Sequence, residues 1–96
     1  MYEATFEKYV CEKIRKLGGR AFKWVCPGLT GAPDRICIFP GGRIIFIELK
    51  RPGRKGGLSE RQKKVCRILE SLGCDVRRIG DKDEFKDFVE EIGYAV

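Results

Sequence analysis

The sequence contains no histidine, and this absence excludes several kinds of active site. Without an imidazole, neither a Ser-His-Asp triad nor a Cys-His pair can form within the chain. The usual zinc-binding patterns are missing too, because no two cysteines stand in a CxxC spacing. Any catalysis by this chain must therefore use carboxylates and lysine, with or without a metal ion.

Long apolar runs are equally absent. No segment approaches the length of a membrane-spanning helix, and no apolar segment near the start suggests export. The odd number of cysteines cannot all pair, which favours small apolar core residues in a reducing compartment. These cysteines are Cys11, Cys26, Cys37, Cys66 and Cys74. We therefore expect an intracellular protein with no membrane partner.

Basic residues are abundant for so short a chain. The 96 residues, which we expect to form a single domain over 1–96, include 20 Lys and Arg against 14 Asp and Glu, for a formal net charge of +6. Such an excess favours a polyanionic partner, of which nucleic acid is the commonest. The alternative is a domain that merely happens to be basic.

Hydrophobic periodicity predicts seven elements in the order αβββαβα, an α/β arrangement in which helices flank a mixed sheet. The third strand is apolar on both faces, so we expect it to be central and buried on both. The predicted strands cover 21–26, 35–39, 43–50 and 74–79. The first predicted helix covers 3–17, the second runs from Ser59 to Gly73, and the third is capped by Asp81. The apolar stripe of the second helix consists of Val65, Cys66, Leu69 and Leu72.

Two charged residues end the predicted central strand. Glu48 and Lys50 stand two positions apart, so their side chains point to the same side of the sheet. A strand that simply runs out into solvent would explain such a pair. The hairpin, however, brings Asp34, which follows Pro33, alongside Glu48. Two carboxylates and a lysine that converge in this way suit a Mg²⁺ or Mn²⁺ ion.

The hairpin turn decides whether the two carboxylates share a face. A two-residue loop would place Asp34 opposite Leu49, whereas a three-residue loop over 40–42 places it opposite Glu48. We predict the three-residue loop, with a glycine in the left-handed conformation.

These motifs together resemble the VRR-NUC family, the virus-type replication-repair branch of the PD-(D/E)xK nucleases. The resemblance covers nearly the whole chain, and it implies a restriction-endonuclease-like fold and a Mg²⁺-dependent endodeoxyribonuclease, with Mn²⁺ as a substitute. It is carried by Gly31-Ala32-Pro33-Asp34-Arg35, by Gly41-Gly42-Arg43 and by Glu48-Leu49-Lys50-Arg51-Pro52-Gly53.

The resemblance also implies roles for individual residues. Asp34, Glu48 and the backbone carbonyl of Leu49 would bind the metal ion. Lys50 would orient or activate the attacking water and offset charge in the transition state.

A helical acid is implied as a further metal ligand and catalytic residue. Glu3 and Glu7 both fall on or beside the apolar stripe of the first helix. The family's spacing favours Glu7; Glu3 is the alternative ligand, or only a charge favoured at a helix start. The resemblance places Gln62 near the metal as well, although three residues after Ser59 it would equally complete a capping box.

The basic loop after Lys50 is expected to contact DNA phosphates, because a glycine-rich loop is a poor frame for fixed base contacts. The side chains expected to bind nucleic acid are Arg51, Arg54, Lys55, Arg35 and Lys23, with Lys16 and Arg20 as an extension. Phe22 and Trp24 are expected to lie in the core or on a sheet face rather than to stack on bases.

The leading interpretation is a homodimeric endonuclease for branched DNA such as four-way junctions, in a bacterial or phage-infected cell. A two-fold dimer would supply two sites for two symmetric cuts, and the apolar segment 92–96 is a candidate interface. Two alternatives stay open: a catalytic subunit that depends on a partner for specificity, and a non-catalytic nucleic-acid-binding module. Clustered carboxylates argue against the second, because binding a phosphate does not require them.

Overall fold

The computed structural model describes residues 2–28, 31–49 and 60–94, with side chains from Thr5 onward. The order of elements is αβββαβα, as predicted. The helices are α1 (Tyr2–Lys16), α2 (Glu60–Ser71) and α3 (Lys82–Glu91), and the strands are β1 (Arg20–Lys23), β2 (Arg35–Phe39), β3 (Arg43–Leu49) and β4 (Asp75–Ile79).

The four strands form one mixed sheet in the order β1-β2-β3-β4. β1 runs antiparallel to β2, and β2 antiparallel to β3, whereas β3 and β4 are parallel. Parallel neighbours need a crossover connection, and α2 supplies it. β3 pairs with β2 on one side and with β4 on the other, which confirms its predicted central place.

The hairpin between β2 and β3 has the odd loop length that the sequence predicts. Phe39 pairs with Arg43, and the register continues to Arg35 opposite Ile47. The N–H of Gly42 closes the turn on the carbonyl of Phe39 at 3.1 Å. Gly42 has a φ of +81°, in the left-handed region where a side chain would be strained. Directly opposed residues share a face, so this register places Asp34 on the same face as Glu48.

One face of the sheet, here called the core face, carries Cys37, Ile45 and Ile47, each with 0% exposure. α1 and α3 cover it, with Val10 and Ile14 from α1 and Phe85 and Phe88 from α3 in the same apolar cluster. Each such side chain contributes about 1.5–3 kcal/mol by leaving water. The core face therefore supplies most of the apolar burial that stabilises the fold.

The opposite face, here called the site face, carries Phe46 and Glu48 and is covered only in part, by α2. α2 buries only Val65 and Cys66 of its predicted apolar stripe; Leu72, which the stripe included, is 74% exposed. Ile44 is 50% exposed although β3 was expected to be buried on both faces. The physical reason is that α2 packs against β4 and leaves β1, the end of β2 and the start of β3 open on the site face.

β1 is shorter than the predicted strand 21–26. The Trp24 N–H still donates to the carbonyl of Asp34 at 3.2 Å, and the ladder stops there. Pro33, next on the opposing chain, has no N–H to donate, so the pairing cannot continue towards Cys26.

The C-terminal residues that the structure describes belong to the chain's own core. Ile92 is 7% exposed, and the ring of Tyr94 lies 5.7 Å from that of Phe39. Ile92 is therefore taken up by the chain's own core, whereas Tyr94 packs against that core and is only partly buried. None of the helices in the described ranges is long and apolar enough to cross a membrane.

Candidate active site

Asp34 and Glu48 lie side by side at one end of the site face. The β2–β3 register places them on directly opposed positions, and Asp34 Oδ2 accepts a hydrogen bond from the Leu49 N–H at 2.8 Å. This bond ties the start of β2 to the end of β3, beyond the last paired residues. It therefore fixes the Asp34 carboxylate next to the strand that carries Glu48.

Glu48 is a buried acid, with only 2% of its surface exposed. Gln62, in the first turn of α2, donates its side-chain Nε2 to Glu48 Oε2 at 2.5 Å. A hydrogen bond to a charged group contributes about 1.5–3 kcal/mol, and an acid without such bonds is costly to bury. Gln62 is thus brought to the site, as the resemblance implied; Ser59, its partner in the proposed capping box, lies outside the described residues.

The loop before Asp34 packs directly on the start of α2. Gly31 has a φ of +94°, and a Cβ built there would lie 2.8 Å from the carbonyl carbon of Arg61 and 3.0 Å from the Gln62 nitrogen. Only glycine allows this close approach of two backbones. The contact couples the loop that leads to Asp34 with the helix turn that presents Gln62.

Glu7 lies in the core-face layer. Its Oε2 accepts from Arg35 Nε at 2.8 Å, and Arg35 Nη1 also donates to the carbonyl of Ala21 at 3.3 Å. Arg35 follows Asp34 and so points to the opposite face of β2. The structure thus places Arg35 against Glu7 and not beside the Asp34–Glu48 pair. Lys23 pairs with Arg35 in the β1–β2 register, so it lies on the core face as well. The side chain of Glu3 lies outside the described residues.

Lys50 and the whole basic loop that follows it, with Arg51, Arg54 and Lys55, lie outside the residues that the structure describes.

Arg78 is a cation that the sequence analysis did not single out. The parallel register of β3 and β4 sets it opposite Glu48 on the site face. Its Nη2 lies 3.7 Å from Glu70 Oε2 of α2. Burial raises the pKa of the nearby Cys66 thiol, an effect that the positive charge of Arg78 partly opposes. Alternation along β4 gives a hint of this placement, but the parallel register cannot be read from the sequence.

The donor set at this end of the sheet fits a hard divalent cation. Asp34 and Glu48 offer carboxylate oxygens, and the end of β3 offers a backbone carbonyl at Leu49. Across residues 2–28, 31–49 and 60–94, no three or more acidic or cysteine side chains form a ready-made metal cluster. Two carboxylates nevertheless suit Mg²⁺, which is usually held by one or two carboxylates together with waters and substrate phosphates.

Fold and site together define the class as PD-(D/E)xK-like. A mixed sheet of this order carries a Pro-Asp at the start of one strand and the Glu of an ExK motif at the end of the next. No protein-family model matches the chain.

Known proteins place the chain within that class. A solved structure described as a VRR_NUC domain superposes with a TM-score of 0.81 at 30% sequence identity, covering 96% of this chain and 97% of that one. A protein of Acyrthosiphon pisum secondary endosymbiont phage 1, named "Putative nuclease p44", is 49% identical over 53 residues. That match covers 55% of this chain and 57% of the phage protein, so the chain spans a little over half the length of this relative. The chain belongs to the VRR-NUC family, and its fold is restriction-endonuclease-like.

Proposed function

We propose that this chain is a metal-dependent DNA endonuclease that hydrolyses phosphodiester bonds and leaves 5′-phosphate and 3′-hydroxyl ends. The observation that carries the proposal is the in-register placement of Asp34 and buried Glu48 on one face of the sheet. Family membership and the name of the phage relative support nuclease chemistry.

The metal-binding residues would be Asp34, Glu48 and the carbonyl of Leu49, with Mg²⁺ as the ion and Mn²⁺ as a substitute. A divalent ion supplies Lewis-acid polarisation of the phosphate when bound. Gln62 holds the Glu48 carboxylate through Nε2, and the Leu49 N–H holds that of Asp34. These two bonds orient both carboxylates before any substrate arrives, so little reorganisation is needed on binding.

Lys50 is proposed to orient the attacking water and to offset negative charge in the transition state. Glu7 is proposed as the helical acid, with Glu3 as the alternative. In this structure Arg35 binds the Glu7 carboxylate. Glu7 would therefore have to give up this ion pair to bind the metal ion.

The substrate is proposed to be branched DNA, cut by a homodimer. One protomer cuts one strand, and two symmetric cuts need two sites at a fixed separation. The net charge of +6 suits the phosphate density at a branch. Light scattering should give about twice the 11.0 kDa chain mass, and a four-way junction should show paired nicks. A strictly monomeric species that still nicks the junction symmetrically would refute the dimer.

The nuclease proposal is tested on plasmid, flap and four-way-junction DNA with Mg²⁺, Mn²⁺ or EDTA. Cleavage should require the metal, and Glu48→Gln should abolish it while circular dichroism stays unchanged. Lys64→Ala, an exposed change on α2, is the matched control and should cleave normally. Cleavage in EDTA, or an active Glu48→Gln protein, would overturn the assignment; binding without cleavage of any substrate would favour a non-catalytic module.

A further inference from the structure

The part of the site face that α2 leaves open exposes apolar side chains of β1, β2 and β3. Phe22 is 49% exposed, Ile38 37% and Ile44 50%, and the register of β1, β2 and β3 puts all three on the site face. Contiguous exposed apolar surface on a small protein commonly marks a binding site.

Trp24 lies in the same row as the carboxylates. Its N–H bonds to the Asp34 carbonyl, and Asp34 stands opposite Glu48. The indole packs against the Phe46 ring at a centroid distance of 5.3 Å and a tilt of 48°, which places it on the site face. Phe22, two residues earlier on β1, points the same way. An aromatic pair therefore leads directly away from the Asp34–Glu48 pair along the edge strand.

The spacing of this pair suits separated bases. The Cα atoms of residues two apart on a strand lie about 6.8 Å from each other. This is twice the rise of about 3.4 Å between stacked bases along a DNA strand. Successive bases of an intact duplex are too close to use both rings, whereas bases of an unstacked strand are not.

The charge beside the aromatic pair suits a nucleic acid backbone. Arg20, next on the site face of β1, lines a shallow groove with Phe22, Ile38 and Pro40. The chain carries +6 overall. A second copy of the chain would bring the same positive charge to this surface, whereas a DNA strand neutralises it.

Resting on the proposed nuclease function, we infer that Phe22 and Trp24 form a stacking platform for unpaired nucleotides beside the scissile phosphate. Arg20 pairs with the phosphate of the same strand. The substrate class is thereby narrowed to DNA that presents an unpaired segment at the site, such as a single strand, a flap or an opened branch point. Positive grooves combined with aromatic platforms are the common mode of single-strand recognition.

The test uses Trp24 as its own probe, because it is the only tryptophan in the chain. Indole fluorescence is titrated with a short single-stranded oligonucleotide in EDTA, so that no cleavage interferes. We expect saturable quenching, and weaker quenching by the same oligonucleotide carrying abasic positions. Base–aromatic stacking contributes about 1–3 kcal/mol per base, so Phe22→Ala should weaken binding about 5- to 150-fold.

Matched variants separate stacking from apolar contact. Phe22→Leu keeps the apolar bulk but loses the ring and should weaken binding nearly as much as Phe22→Ala. Leu72→Ala, an exposed apolar change outside this surface, just after the end of α2, should bind like the unmodified chain. Equal affinity for the abasic and intact oligonucleotides, or normal binding by Phe22→Leu, would overturn the inference. So would a concentration-dependent change in indole emission without DNA that Ile44→Ala abolishes, because it would assign the surface to a second copy.

Failure of the platform and failure of the nuclease proposal give different results. Quenching that depends on bases but is followed by no cleavage in Mg²⁺ would uphold the platform and refute the enzyme. Metal-dependent cleavage with unchanged indole emission would refute the platform and leave the enzyme standing.

Discussion

Gln62 of α2 donates its side-chain amide to the Glu48 carboxylate at 2.5 Å, across 14 positions of sequence. This bond gives a buried acid at the end of a central strand a donor from the crossover helix. The position of α2 is in turn held by the close contact between Gly31 and the Arg61–Gln62 peptide. The loop that leads to Asp34, the helix that carries Gln62 and the strand that carries Glu48 therefore act as one structural unit.

Replacement of Gln62 by alanine should lower both stability and metal affinity. Removal of the donor leaves a buried carboxylate with one hydrogen bond fewer, at a cost of about 1–3 kcal/mol. The Glu48 side chain also loses the group that orients it, so Mg²⁺ or Mn²⁺ should bind more weakly by calorimetry. Lys64→Ala on the same helix should change stability by less than about 0.5 kcal/mol. A stability loss with unchanged metal affinity would mean that Gln62 serves only the helix.

Asp34→Asn and Lys50→Ala should separate ligand from electrostatic roles. The asparagine oxygen can still accept the Leu49 N–H, so the fold should persist while metal affinity falls. Lys50→Ala should leave metal affinity largely intact but lower turnover by about 10²–10³. Calorimetry supplies the affinities and single-turnover cleavage the rates. Normal Mg²⁺ or Mn²⁺ affinity in Asp34→Asn would count against Asp34 as a ligand.

Gly31→Ala should be more harmful than Gly28→Ala. Both glycines have a positive φ, +94° and +84°, so each substitution carries the backbone penalty of about 1–2 kcal/mol. A Cβ at Gly28 meets nothing within 4 Å, whereas at Gly31 it meets the backbone of Arg61 at 2.8 Å. Denaturant unfolding should therefore show a larger loss for Gly31→Ala, accompanied by weaker metal binding as α2 shifts. Equal losses would show that conformation alone, and not the backbone contact, matters at Gly31.

Stability should fall as the pH rises above about 9, and Cys37 should account for part of the fall. Burial raises the pKa of Cys37 from 9.0 to about 12. Between these values the unfolded chain has lost the thiol proton and the folded chain retains it, so rising pH favours unfolding. The contribution is about 1.4 kcal/mol per pH unit in this window and zero below it. Cys37→Ala should flatten the dependence by that amount in denaturant titrations; parallel curves for the two proteins would contradict the assignment.

The local sequence pattern was sufficient to predict the order of elements and the placement of the two site carboxylates on one face. Periods of two and of about 3.6 residues identified the strands and helices, and the residue count of the turn over 40–42 set the hairpin register. Alternation within that register then placed Asp34 opposite Glu48, because a strand has only two faces and a hairpin only one register for a given loop. The five cysteines, expected to be unpaired, are all free.

Packing between distant elements decided the rest. The local sequence does not indicate that α2 packs against β4, so the exposure of Ile44 and Leu72 was not predicted. The pairing of Glu7 with Arg35, the contact of Gly31 with Arg61 and the register of Arg78 beside Glu48 likewise join segments far apart in the chain. The sequence by itself determined which residues share a strand face and a helix face. The tertiary structure determined which faces meet, because that choice depends on the packing of the whole core rather than on any local period.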